Sequence, residues 1–163
     1  MNAHVRPART NRGGAAVGYL TDLPPLEKRI VTCLRMWCGT ALSRAQVDAE
    51  FHRAFGKSEA AVASRALADL CELTVRYGRR PLMLHHAGCK CLGADESAFA
   101  HLVGAAASGE SEDAMMFAML LVRPDLATGV SGLAQQAGLM FRRLVAREIV
   151  SSAPQEREFR TMH

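Results

Sequence analysis

The sequence predicts a mainly α-helical fold, and three observations lead to that expectation. Apolar residues recur at steps of three and four along most of the chain from Leu26 onward. Aromatic residues make up only 6% of the chain, whereas half-buried strands select aromatic and β-branched side chains. Each periodic run also ends at Gly or Pro, or opens at a capping Ser. The expectation is about six helices, with one short extended or hairpin segment near residues 80–92. At 163 residues the chain fits one domain with a sizeable core. Residues 1–23 read as a flexible N-terminal tail and 24–150 as a single helical domain. That domain divides into a three-helix half (24–80), a connector (81–94) and a second helical half (95–150), followed by a flexible tail over 151–163.

After Pro24 and Pro25, the residues Leu26, Ile30, Cys33, Leu34 and Trp37 share one stripe, with Glu27, Lys28 and Arg35 off it. Gly39 ends this first helix. "SRAQ" (Ser43 to Gln46) reads as a capping box for the second, which carries Val47, Phe51 and Phe55 inward and stops at Gly56. Ser58 is expected to cap a third helix to about Tyr77, with Val62, Ala66, Leu70, Leu73 and Tyr77 inward and Gly78 closing it. "RRPLMLHH" reads as extended, because Arg80 precedes a proline and is pushed out of the helical region. Helical spacing returns at Asp95, with Phe99, Leu102, Val103 and Ala106 inward and a stop at Gly109. "SEDAMMFAMLLVRP" forms a fifth helix ended by Pro124. A sixth runs from about Leu126 to Ile149, and its Gly129, Gly132 and Gly138 point to a close helix contact, inside the domain or across a homodimer.

The chemically densest run is "LHHAGCKCLGADE", Leu84 to Glu96. Zinc and iron favour thiolate and imidazole donors, so Cys89 and Cys91 with His85 or His86 form a possible ligand set. Cys71 or Asp95 would supply a fourth donor. In a regular strand the two cysteines would share a face but stand too far apart for one ion, and Gly88 and Gly93 permit a tighter turn. A plain reading stands beside it, in which the cysteines are small buried residues and the histidines are turn residues. A thiol–disulfide pair and a Cys–His nucleophile are further readings, but no thioredoxin-like pattern or oxyanion hole accompanies them. Asp95 and Glu96 read as first-turn residues that cap free N–H groups and complement the helix dipole. Cys33 and Cys38 face different ways on one helix, and Met115, Met116 and Met119 read as core filler or an adaptable contact surface. No catalytic residue is assigned.

The net charge is +4, and the stretch from Leu26 to Arg80 carries all of it, with ten Lys/Arg against six Asp/Glu. Three successive helices with "FGKS" as a tight turn permit a winged-helix reading. Lys57, Ser58 and Arg65 would then open a recognition helix, and Arg79 and Arg80 would touch phosphate from a wing completed by "CKCLG". Against it, the third helix offers few readers of base edges and carries Glu59, Asp69 and Glu72. No apolar run is long enough to span a bilayer, so no membrane partner is expected. The odd count of five cysteines without framework spacing points to a reducing compartment, read as the cytoplasm.

"RRPLMLHHAGCKCLGADE", followed by two alanine-rich helices, resembles a group of small bacterial proteins with an R-P-L-x-L-H…G-C-x-C…D-E core. The resemblance covers Leu26 to about Leu144, and its specific part is Gly88, Cys89, Cys91, Asp95 and Glu96. It implies a shared fold and no activity. The leading functional expectation is a small non-enzymatic binding or regulatory protein, holding zinc or iron through Cys89, Cys91 and His85 or His86. The alternatives are a winged-helix DNA-binding regulator and a helical interaction module with a protein partner and no metal.

Overall fold

The computed structural model describes residues 12–152. Of the two expected tails, residues 1–11 and 153–163 lie outside that range. The described residues form six α-helices and a two-stranded antiparallel sheet, as the mainly α expectation requires. They are β1 (Ala16–Tyr19), α1 (Pro25–Trp37), α2 (Ala41–Phe55), α3 (Lys57–Arg76), β2 (Cys91–Gly93), α4 (Ala94–Ser108), α5 (Ser111–Leu121) and α6 (Ala127–Ser152). Among the described residues no helix is long and apolar enough to cross a membrane.

Local chemistry sets most helix ends. α1 starts with Pro25 at its first position, where a missing N–H is harmless. α2 is capped by Thr40, whose hydroxyl accepts from Ser43 N while Ser43 Oγ accepts from Thr40 N. The capping box therefore begins three residues earlier than "SRAQ" suggests, because Thr40 already holds the extended backbone a cap needs. Gly56 alone separates α2 from α3. Its φ of 76° lies in the left-handed region, so glycine both stops one helix and opens the next, and Ser58 falls inside the first turn of α3. α4 ends at Gly109, whose φ of 80° and ψ of 11° place it in the left-handed helical conformation.

α4 runs through the middle of the bundle, against α1, α5 and α6. Phe99, Leu102 and Val103 are buried on it, and Ala100, Ala105, Ala106 and Ala107 keep its remaining surfaces slim enough for neighbours on several sides. Across from it, Gly138 of α6 lets the two backbones approach, since a Cβ there would stand 2.7 Å from Val103 O and from Ala107 Cβ. Phe51 and Phe141 meet edge to face in the core beyond, at 6.3 Å between centroids. Gly129 and Gly132, by contrast, face open space, so one of the three glycines explains a close internal contact.

Two elements differ from expectation. The buried face of α3 is Ala60, Ala63, Ala66, Leu67, Leu70, Cys71 and Thr74; of the expected stripe Ala66 and Leu70 lie on it, Leu73 and Tyr77 are half-buried, and Val62 is 69% exposed. Residues 16–19, expected in a flexible tail, form β1 and pair with β2 in the register Ala16–Gly93, Gly18–Leu92 and Tyr19–Cys91. The pairing continues beyond the strands through Leu20 N to Lys90 O (2.9 Å) and Ala94 N to Ala15 O (3.0 Å). "RRPLMLHH" is irregular, without a ladder partner among the described residues apart from the single bridge of Gly78 to Val122 just before it.

Candidate functional site

The connector between α3 and α4 is organised by a residue far from it in sequence. Arg35, in the last turn of α1, is buried with Glu96 of the first turn of α4. Their contact is a two-pronged fork, Arg35 Nε to Glu96 Oε1 at 2.7 Å and Arg35 Nη2 to Oε2 at 2.7 Å. The remaining guanidinium hydrogens reach the connector backbone, Nη1 donating to Cys89 O and Nη2 to Cys91 O, both at 2.6 Å. Glu96 in turn accepts from His85 N and Gly93 N, each at 2.8 Å, and lies 3.2 Å from His85 Nδ1. Burying two charges costs several kcal/mol per ion unless every lone pair and proton finds a partner. This pair finds partners on both members, and most of them belong to residues 85–93. Burial alone would push the Glu96 carboxyl up. The hydrogen bonds from Arg35, Gly93 and His85 outweigh it and hold the group below its ordinary value of 4.5.

A second pair fixes the start of the connector. Arg80 grips Asp95 with two hydrogen bonds of 2.7 and 2.6 Å, and Met83 N donates to Asp95 Oδ2 at 2.9 Å. Gly13 passes directly over this pair, where an added Cβ would collide with Arg80 Nη1 and Asp95 Oδ2. The two carboxylates expected as helix caps therefore do more than cap. Glu96 keeps that role through Gly93 N, but Asp95 and Glu96 together tie down residues 80–93.

With the carbonyls of Cys89 and Cys91 drawn inward to Arg35, the loop has a fixed shape. Cys89 N donates to His86 O at 3.0 Å, closing a turn over Ala87 and Gly88. Regular pairing starts only at Cys91, two residues after Cys89. Interaction with the Cys89 thiol pushes the Cys91 thiol up. Both cysteines are half-buried, whereas His86 and Lys90 are exposed beside them. Gly88 does not adopt a positive φ, and Gly93 is needed for room, because a Cβ there would stand 3.0 Å from the His85 ring.

Of the residues expected to bind metal, Cys89 and Cys91 are half-buried in the loop and His86 is exposed on the adjoining turn. The His85 ring is turned to Glu96 instead. Cys71 sits beside Cys38, at the end of α1, in a cleft of about 400 Å³ that also touches Trp37, Arg44 and Glu72. Among the described residues no group of three or more His, Cys, Asp or Glu side chains is arranged to hold a metal ion. Of the residues expected to meet DNA, Lys57, Ser58 and Arg65 are exposed on α3, with Arg65 3.5 Å from Asp69. Arg79 donates to Met119 O (3.1 Å) and Arg80 is held by Asp95. Cys91–Gly93 pairs with β1 rather than with residues 80–86, and one residue joins α2 to α3 where a helix-turn-helix uses three or four.

Arg35 is the residue sequence reasoning placed wrongly. It stands off the Ile30–Leu34 stripe, but Val31 four residues before it is fully buried and Cys38 three after it is half-buried. That second apolar row was the available signal. The chain matches no protein-family model, no curated protein and no solved structure, so the likeness around residues 80–96 carries no assignment.

Proposed function

We propose that this chain is a small binding or regulatory protein whose loop 85–91 takes up zinc, or iron in its place, through the thiolates of Cys89 and Cys91. One observation carries the reading: Cys89 and Cys91 lie two residues apart on a loop whose carbonyls a buried Arg–Glu pair holds in place. A fixed loop backbone lowers the ordering cost of binding, the donor side chains closing on the metal as it binds, and soft thiolates select zinc and iron over magnesium or calcium. His86, exposed on the same turn, is the third donor we assign. The fourth position is left to a donor from outside the chain, which is how such a loop would register a partner. His85 acts as a positioning residue, because its ring is engaged by Glu96. Self-association belongs to the same proposal, through the exposed Met116, Met119 and Leu120 of α5.

Elemental analysis of untagged protein purified without chelator, beside a Cys89→Ser/Cys91→Ser variant, tests the reading. Near-stoichiometric zinc or iron that disappears in the variant is the expected result. Absence of metal from both, after incubation with excess zinc, would overturn it. Light scattering tests self-association, and salt-sensitive duplex binding at low ionic strength is the outcome that would favour a DNA-binding role through Lys57 and Arg65.

A further inference from the structure

Four of the five cysteines interact in two pairs, and the fifth, Cys33, lies near Cys71. Cys33 is fully buried, and burial pushes its thiol up to about 12, so it is inert. Cys89 and Cys91 form the loop pair. The other pair joins elements far apart in sequence: Cys38 caps the C-terminus of α1, Cys71 lies within α3, and both line one solvent-open cleft, where interaction with Cys71 holds the Cys38 thiol below its ordinary value. The two sulfurs differ in access, since Cys38 is half-buried and Cys71 is 3% exposed. The C-terminal end of a helix disfavours a thiolate. Arg44 counters it, donating to Trp37 O at 3.1 Å with its guanidinium 5.4 Å from the centre of the Trp37 ring.

We infer that Cys38 and Cys71 are a peroxide-responsive thiol pair that closes to a disulfide between α1 and α3. Cys38, the accessible sulfur, attacks hydrogen peroxide. An S–O bond forms, the O–O bond breaks, and the departing hydroxide takes the thiol proton and leaves as water. Cys71 then attacks the Cys38 sulfenic acid. The S–S bond forms, the S–O bond breaks, and a second water carries away the Cys71 proton. Two thiols lose two electrons and one peroxide becomes two waters. Both side chains line the same cleft, which is the proximity that closing to the roughly 2.05 Å of a disulfide requires.

The test uses full-length protein in the Cys89→Ser/Cys91→Ser background, so that the loop pair cannot contribute. After peroxide treatment and alkylation, non-reducing peptide mapping should find Cys38 linked to Cys71, with the link removed by dithiothreitol. In Cys71→Ala, Cys38 should accumulate sulfenic acid trapped by dimedone. In Cys38→Ser, Cys71 should stay alkylatable at the same dose. The inference is overturned if both cysteines stay alkylatable, if Cys38 is driven to sulfinic acid without a link, or if Cys71 oxidises first. Should Cys71→Ala not fold, the mapping with both cysteines present still decides the point.

Discussion

Replacing Glu96 with glutamine is the sharpest perturbation of this architecture. Gln keeps the shape and one acceptor oxygen but puts an amide NH2 where the second oxygen receives donors. Arg35, 1% exposed at its side chain, would then hold an uncompensated charge. Removing one partner of a buried pair costs about 3–5 kcal/mol. One of the two backbone donors, His85 N or Gly93 N, would also face another donor, adding about 1–3 kcal/mol. Some relaxation is expected, so the loss should come to about 4–6 kcal/mol, a large part of the roughly 5–15 kcal/mol that holds a domain together. In urea unfolding followed by circular dichroism, the midpoint should fall by about 2–3 M for a slope near 2 kcal/mol/M. An Arg35→Met/Glu96→Leu double variant should be more stable than either single change, because it buries no lone charge. It should remain below the parent, since Cys89 O and Cys91 O lose their donor. A loss below about 1 kcal/mol in Glu96→Gln, the level of an ordinary exposed ion pair, would refute the view that this pair organises the connector.

The remaining predictions concern pH and glycine. The Glu96 carboxyl titrates lower in the folded chain than in the unfolded one, so its contribution is complete above about pH 5 and is lost as pH falls through the folded value. Urea midpoints measured from pH 6 to pH 3 should show this decline, and the double variant should flatten it. Gly13→Ala would place a methyl group on the Arg80–Asp95 pair and should detach the N-terminal strap. Amide exchange at residues 16–19 and 91–93 should then accelerate with little effect on α6. Gly138→Ala should cost about 1–3 kcal/mol by overpacking against α4. Gly129→Ala and Gly132→Ala, which meet nothing and keep negative φ, should each stabilise by about 0.4–1 kcal/mol. Thermal unfolding of the three variants separates these signs.

Helices were legible where side chains of distinct character marked both face and end. Pro25, Gly56 and Gly109 punctuate the chain as their chemistry demands, and Phe99, Leu102 and Val103 lie inward as their spacing implies. On α3 the stripe holds at Ala66 and Leu70 and fails at Val62, in the alanine-rich first half of the helix, where alanine fits either face and marks none. β1 escaped notice since "AVGY" is short, contains glycine and is largely exposed, so it has no period to read. The connector was recognised as the place where chemistry concentrates, but its geometry depends on Arg35, more than fifty residues away. Periodicity treats an arginine as outward-facing. Only the fold supplies a buried carboxylate and two carbonyls for it to meet. Cys71 likewise had no local mark of its true neighbour, Cys38, because contacts between helices leave no spacing in the sequence.

Cobalt titration of the reduced, metal-free protein tests the central claim most directly, since Co2+ takes zinc sites and reports thiolate ligation by an intense near-ultraviolet charge-transfer band. The account predicts a band that saturates at one equivalent, is displaced by zinc, disappears in Cys89→Ser and Cys91→Ser, and survives in Cys71→Ser. A band that never appears, or one that depends on Cys71 and not on Cys89, would contradict it.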